Sequence, residues 1–381
     1  MSITTSQSAP SHPMRLALAL AERALGMVAP NPAVGCVLVA QSGQIIGRGA
    51  TRAGGRPHAE TEALDQCRAI FGSEAAALLN GATAYVTLEP CSHHGVTGPC
   101  AEALVAAKVG HVVVALQDPD PRVAGRGLAL LDQAGIDVSL GEGAKEAESL
   151  TEGFLLNRLQ GRPLVTLKAA ATLDGRIAAA SGHSQWITGP AARSKGHLMR
   201  ANHDAILIGS GTAMADNPRL TCRVPGLETR SPHRVLLDGR LRLTPDAALF
   251  ADINAVPLTI FCREGADPKR IAALKSAGAR VIPVPPAGDS MAPSAVLKAL
   301  AEAGITRVLL EGGGQVAAAF LKDDLVDRIA WFHGPKVIGG DGLPAIGPFG
   351  VDRADETPLF TVQGREVLGE DILTMAYRVR A

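Results

Sequence analysis

The chain has 381 residues, more than twice the usual length of a single domain, so two compact cores are the expectation. Hydrophobic residues make up 46% of it and charged residues 19%, with 42 Gly and 25 Pro, which excludes a charge-rich disordered chain. Lys plus Arg and Asp plus Glu balance at 37 each and aromatics are only 3%, so neither a basic field nor a stacking platform draws the chain to nucleic acid or an acidic membrane; a small ligand fits better.

In chain order, residues 1–13 are polar, lack a basic n-region and read as a disordered tail, and the apolar run Leu16–Ala21 is too short for a signal peptide or a membrane span. Without a secretory signal the six cysteines read as cytosolic thiols, and the chain as cytoplasmic. Met14–Leu25 has helical spacing and stops at Gly26 and the turn Pro30-Asn31-Pro32. Val34–Ala40 and Gln44–Gly49 read as strands paired across Ser42-Gly43, followed by strands at Thr83–Leu88 and His111–Leu116, with helices near Glu60–Ile70 and Ala101–Lys108 between them. This alternation predicts an α/β layer and closes near Leu140, giving a first domain over 14–150. Gly141–Gln160 reads as a polar helix; residues 151–162 serve as linker helix and turn, punctuated by Gly161-Arg162-Pro163.

The second domain, 163–381, restarts with a strand at Leu164–Ala169. Further strands are expected at Ala205–Ile208, Arg234–Asp238, Leu258–Cys262, Arg280–Val284, Arg307–Leu310 and Arg328–Phe332. Helices are expected at Pro190–Ala201, Lys269–Ala277, Pro293–Ala303 and Val316–Lys322.

The most informative feature is His58-Ala59-Glu60 followed by Pro90-Cys91-Ser92-His93-His94-Gly95-Val96-Thr97-Gly98-Pro99-Cys100. One imidazole and two thiolates give three soft ligands, and a catalytic zinc keeps its fourth position for water. Glu60, two residues from His58, can reach that water without being a ligand, which is the logic of a zinc deaminase: activated water attacks a ring carbon bearing an amino group while a carboxyl shuttles protons to the leaving ammonia. Helix starts at His58 and Cys100 favour anionic groups there. Against this stands a structural, four-ligand zinc, with His93 or His94 as the fourth ligand. Cys36, Cys67, Cys222 and Cys262 read as packing.

Asn31-Pro32-Ala33-Val34-Gly35-Cys36-Val37, the His-Ala-Glu element and two cysteines with eight residues between them together resemble the bifunctional riboflavin-biosynthesis deaminase–reductases, over nearly the whole chain after Met14. The eight-residue gap sets the chain apart from general cytidine deaminases. The resemblance implies an α/β fold: an N-terminal zinc cytidine-deaminase-like three-layer domain plus a C-terminal dihydrofolate-reductase-like domain. It implies Zn2+ on His58, Cys91 and Cys100, Glu60 as catalytic proton carrier and Asn31 in the pyrimidine pocket, and the segment Gln117–Gly127 also matches. It departs at Val96-Thr97-Gly98-Pro99, where the family commonly carries Arg-Thr-Pro-Pro; the cation that would grip a substrate phosphate is missing, which leaves open what holds that phosphate.

In the second half two Gly-rich turns follow strands, Ile208-Gly209-Ser210-Gly211-Thr212 and Leu310-Glu311-Gly312-Gly313-Gly314-Gln315. The first, with Asp238 posing as a ribose acid, mimics a Rossmann fingerprint, but Asn217-Pro218 would break the helix within two turns. The second opens a helix whose free N–H groups suit a phosphate, though a plain tight turn has the same residues. The stretches Leu167–Ala178, Ser184–Gly189 and Asp216–Thr221 resemble the family's reductase half. By that resemblance Ala170, Trp186, Thr212, Asp216, Gly313, Gly314 and Gln315 contact NADPH, and Ser184, Arg200, Leu220, Arg223 and Glu311 hold the phosphorylated pyrimidine. Taken alone, Trp186 reads as core, while Lys168 and Asp174 fit either proton delivery or structural pairing.

The resemblance thus implies deamination of 2,5-diamino-6-ribosylamino-4(3H)-pyrimidinone 5′-phosphate, then NADPH-dependent reduction of 5-amino-6-(5-phosphoribosylamino)uracil. The expected partner is that small phosphorylated pyrimidine, without nucleic acid or membrane, in a homo-oligomer. The alternatives are a nucleoside or tRNA-base deaminase with an accessory nucleotide-binding domain, and a zinc-stabilised nucleotide-binding protein without turnover.

Overall fold

The computed structural model describes residues 3–94, 98–120, 123–288 and 290–380. The chain divides into two compact units, Met1–Gln160 and Gly161–Ala381.

The first unit runs β1 (Thr4–Ser8), α1 (His12–Ala24), β2 (Gly35–Val39), β3 (Ile45–Ala50), α2 (Ala59–Phe71), α3 (Ala75–Leu79), β4 (Thr83–Val86), α4 (Cys100–Ala106), β5 (His111–Val114), α5 (Arg126–Gln133), β6 (Asp137–Glu142) and α6 (Ala144–Gln160). Its sheet has the order β1-β6-β5-β4-β2-β3. β4, β5, β6 and β1 are parallel, and β2 runs antiparallel to both β4 and β3. Alternate side chains serve opposite faces. Cys36, Leu38, Val112 and Val114 pack under α2, α4 and α5, whereas Val37 and Val113 pack against Met14, Ala17 and Leu18 of α1 and Ala147 of α6. The result is a sheet between two helical layers. Two strand glycines set how closely the helices approach: a Cβ on Gly35 would lie 1.9 Å from the Ala17 carbonyl oxygen, and one on Gly49 would lie 2.0 Å from that of Ala59.

Two expectations need correction here. Residues 4–8, expected within a disordered tail, form an edge strand on β6, continued by Gly143 N–H to Ser8 O (3.0 Å) and Ser11 N–H to Glu142 Oε1 (2.7 Å). Backbone pairing needs no apolar side chains, so a polar composition hid it. Residues 151–160, expected in a linker, are the second half of α6, which buries Thr151 and Phe154 within the first unit.

The second unit runs β7 (Leu164–Ala171), β8 (Arg176–Ala178), α7 (Pro190–Ala201), β9 (Ala205–Gly209), α8 (Ser210–Asp216), β10 (His233–Leu237), β11 (Leu258–Arg263), α9 (Pro268–Ser276), β12 (Arg280–Val284), β13 (Pro286–Ala287), β14 (Ser290–Met291), α10 (Pro293–Glu302), β15 (Arg307–Leu310), α11 (Gly314–Lys322), β16 (Arg328–His333), β17 (Leu343–Pro344), β18 (Phe360–Leu368) and β19 (Asp371–Arg378). The main sheet has the order β12-β11-β10-β9-β15-β7-β16-β19-β18, parallel from β12 to β16 and antiparallel across β19 and β18. Parallel strands buried on both faces read as apolar runs: Val235, Leu207 and Leu310 pack with α10 and α11, and Leu236, Ile206 and Ile208 pack with α8 and α9. As expected, α8 is cut short at Asn217, left-handed at φ 39°, and among the described residues no further α-helix lies between it and β10. Asp238 accepts Leu243 N–H (2.8 Å), a turn-closing bond.

Candidate active sites

His58 is the N-cap of α2 and Glu60 lies in its first turn. β4 leads through Leu88, Glu89 and Pro90 to Cys91, and Cys100 opens α4. The three ligand-type residues converge: His58 Nδ1 lies 3.3 Å from Cys100 Sγ and 3.6 Å from Cys91 Sγ, and Cys91 Sγ accepts the Cys100 N–H at 3.3 Å. Among the described residues, His58, Cys91 and Cys100 form the group able to hold a metal ion. His93 and His94 are not in it; His94 Nε2 lies 3.5 Å from Glu102 at the surface.

The electrostatics suit proton transfer. Glu60 is 3% exposed, and burial, reinforced by Cys91, pushes its carboxyl up to about 7. Cys91 is lowered to about 4, first by a hydrogen bond from Cys100 and also by His58, whereas Cys100 is pushed up by that same bond and by burial. His58 is raised, chiefly by its hydrogen bond to Cys91.

Above this group opens a cavity of about 480 Å³. His58, Glu60 and Cys91 lie on it with Asn31, which Gly55 lets in: Gly55 is left-handed at φ 83°, and a Cβ there would lie 1.7 Å from Asn31 Nδ2. The loop after β5 supplies Asp118, Asp120 and Val123, α5 supplies Arg126, and α6 supplies Phe154 and Arg158. That loop is held by Glu89, a buried carboxylate that accepts N–H bonds from Gly127 (2.8 Å), Gly125 (3.0 Å), Asp118 (3.2 Å) and Leu128 (3.4 Å). Sequence reasoning missed Glu89, Phe154 and Arg158. The spacing of four between Phe154 and Arg158 puts both on one helical face, the one signal available. The departure at Val96 falls at residues 95–97, outside the described residues.

The second unit has its own cavity of about 350 Å³. Ala170, Ser184, Trp186, Thr212 and Asp216 line it, as do Arg200, Leu220, Arg223, Glu311 and Gly313. Gly314 and Gln315 instead open α11, with Gln315 on a neighbouring cavity. Trp186 is not core: it is 58% exposed, with the Arg193 guanidinium 4.5 Å from its ring centroid. Arg200 donates to both carboxylate oxygens of Glu311 (2.9 and 2.8 Å) and to Thr221 O (3.0 Å). Burial alone would raise Glu311, but Arg200 and Lys168 outweigh it and hold the carboxyl at about 2. Lys168 Nζ stands 4.0 Å from Glu311. His197 Nδ1 lies 3.1 Å from Thr221 O, so its proton sits there and Nε2 accepts from Arg223 (3.2 and 3.1 Å). Asp174 is structural, accepting from Thr172 Oγ1 (2.5 Å) and Gly339 N–H (2.7 Å).

Residues 163–374 match the family described as the RibD C-terminal domain, and residues 8–116 match the cytidine and deoxycytidylate deaminase zinc-binding region. The riboflavin biosynthesis protein RibD of Escherichia coli is 40% identical, over 94% of this chain and 96% of that protein. The solved structure of Acinetobacter baumannii RibD covers 97% of this chain and 98% of its own at 36% identity, with a TM-score of 0.84. A Thermotoga maritima diaminohydroxyphosphoribosylaminopyrimidine deaminase/5-amino-6-(5-phosphoribosylamino)uracil reductase covers 96% and 98% at 34% identity, with a TM-score of 0.82.

Zinc and NADPH are the cofactors that follow, and the residues present fit both. Separations of 3.3 and 3.6 Å between donor atoms match a tetrahedron edge of about 3.5 Å built on ordinary Zn–N and Zn–S bonds. In the second unit Gly209 and Gly312 keep the α11 entrance clear: a Cβ on either would lie within 3 Å of Val316 (2.6 and 2.9 Å), and Gly313 leaves the N-cap open to a phosphate. The two sites, the two family matches and the full-length relatives agree: the chain belongs to the bifunctional deaminase–reductases of riboflavin biosynthesis.

Proposed function

We propose that the first unit removes the 2-amino group of 2,5-diamino-6-ribosylamino-4(3H)-pyrimidinone 5′-phosphate as ammonia, and that the second reduces the ribosyl group of 5-amino-6-(5-phosphoribosylamino)uracil to ribityl. The observation that carries this reading is Glu60, a buried carboxyl titrating near 7 on the same cavity as His58 and Cys91. Zinc held by His58, Cys91 and Cys100 would supply the Lewis acidity that makes water nucleophilic near neutral pH. Glu60 takes the proton that the attacking water sheds and hands it to the departing amine; a pKa near the working pH puts both of its protonation states within reach. Asn31 offers an amide donor and acceptor to the pyrimidine edge.

NADPH, when bound in the second cavity, would supply the hydride for the second step. Ala170, Trp186, Thr212, Asp216, Gly313, Gly314 and Gln315 are the proposed cofactor contacts, and Ser184, Arg200, Leu220, Arg223 and Glu311 the proposed substrate contacts. Arg200 keeps two N–H donors beyond the three it spends on Glu311 and Thr221. Glu60→Gln should abolish ammonia release and spare NADPH oxidation with supplied deaminated substrate; equal loss of both overturns the assignment.

The proposed setting is the cytoplasm; no helix among the described residues is long and apolar enough to cross a membrane. The proposed assembly is a homo-oligomer. Its support is β18, a nine-residue edge strand exposing Val362 and Val367, which sedimentation of the purified chain would test.

A further inference from the structure

The cavity of the first unit divides its charges by depth. Its acids are buried: Glu60, Glu89, Asp118 and Asp120 are all under a tenth exposed. Its cations are arginines. Arg56 lies two residues from His58, and its charge acts on that imidazole. Arg126 and Arg158 lie at the solvent-exposed margin of the same cavity, and the side chain of neither makes an ion pair or a hydrogen bond among the described residues. In the second cavity, by contrast, Arg200 is committed to Glu311.

Neither guanidinium is paired with a carboxylate among the described residues, and the backbone that carries each is held. Arg158 sits one helical turn after Phe154, with its guanidinium carbon 5.4 Å from the centroid of that ring. Phe154 is itself buried, so the platform is fixed, and a cation on an aromatic face keeps its N–H edges free for another partner. Arg126 begins α5, whose first turn is tied down by the Glu89 bonds to Gly127 and Leu128. Two guanidiniums on held backbone, with no side-chain donor spent among the described residues, are suited to a dianion.

We propose that Arg158 and Arg126 form the phosphate subsite of the deaminase cavity, gripping the 5′-phosphate of the pyrimidine while its ring lies against His58, Cys91 and Glu60. The inference rests on the proposed deamination. With the reacting carbon at the metal group, the phosphate stands a ribose away from it and meets the cavity margin, where the charge is positive. The subsite is built by α6 and α5 and does not depend on a cation at position 96, where this chain has Val96.

The test compares ammonia release from the phosphorylated pyrimidine and from its dephosphorylated counterpart, using the zinc-loaded full-length chain, its Arg158→Gln and Arg126→Gln variants and the double variant. Each substitution should lower the ratio of kcat/KM for the two substrates by about 10- to 100-fold, as expected for a lost charge-assisted hydrogen bond, mainly through KM of the phosphorylated one. Arg158→Lys should recover part of the ratio, because charge without the planar fork remains. Ribose 5-phosphate titrated calorimetrically into Glu60→Gln protein provides a readout without turnover; Arg158→Gln added to it should weaken that binding. A ratio within twofold of the parent in the double variant overturns the subsite, and so does an equal fall for both substrates. Failure of the parent chain to release ammonia from either pyrimidine would instead overturn the deaminase reading.

Discussion

Arg200 and Glu311 face each other through two parallel hydrogen bonds, Nε to Oε1 at 2.9 Å and Nη2 to Oε2 at 2.8 Å, deep in the second cavity. Removing one partner of such a pair leaves an uncompensated buried charge, which costs about 3–5 kcal/mol. Glu311→Ala should therefore lower the stability of the second unit as well as its NADPH oxidation. Both tryptophans, Trp186 and Trp331, belong to that unit, so tryptophan fluorescence during urea unfolding reads it selectively. Ammonia release should not change.

His197 acts on Arg223 as a positioning residue. Its neutral ring accepts from the guanidinium, and burial together with the Arg200 and Arg223 charges holds its pKa down at about 4. His197→Leu should raise KM for supplied deaminated substrate roughly two- to tenfold, the worth of one hydrogen bond, and leave kcat nearly unmoved. His197→Gln restores an acceptor and should recover most of the loss. A fall in kcat with unchanged KM would show that the ring does not act through Arg223.

Stability of the second unit should fall in acid for a reason local to His203. This buried ring lies 2.7 Å from Met199 O through Nδ1 and 3.1 Å from Thr166 Oγ1 through Nε2, and burial, then Arg307, depress its pKa to about 3. The unfolded chain binds the proton at its ordinary pKa of about 6.5, so between pH 6.5 and 3 the unfolded state takes up more protons and stability declines as pH falls. His203→Gln should flatten that part of the pH profile, read by tryptophan fluorescence in urea. A profile with the same slope in the variant would assign the acid sensitivity elsewhere.

Glu89 predicts a selective loss in the first unit. Burial raises its pKa, and the amides of Gly125, Gly127 and Asp118 pull it back. Glu89→Ala strands those amides, at about 1–3 kcal/mol for each that water does not reach, and frees the loop that carries Asp118 and Val123 to the cavity. Ammonia release should fall steeply while zinc content and NADPH oxidation hold. Glu89→Gln is a poor substitute, because its NH2 group would face N–H donors.

Much of this architecture is legible in the sequence where apolar periodicity is strong. The buried parallel strands and the helices Pro190–Ala201 and Pro293–Glu302 stand within a few residues of expectation, since burial on both faces leaves continuous apolar runs. The edge elements were illegible for the converse reason. Thr4–Ser8 joins its sheet as a polar edge strand, and Phe360–Leu368 leaves most of its side chains in water, so no apolar pattern marks either. At the sites, the short His58–Glu60 and Cys91–Cys100 motifs were readable because spacing fixes chemistry locally. Glu89 was not, because its role lies in bonds to residues 29 to 39 positions away.

The two family matches end at residue 116 and begin again at residue 163. Between them lie Asp118, Asp120, Val123, Arg126, Phe154 and Arg158, which close the far side of the deaminase cavity. A fragment cut at the first match would keep His58, Cys91 and Cys100 and lack those lining residues. A stand-alone first unit should therefore extend through Gln160, since the stretch that looks like spacer in a domain diagram belongs to that unit.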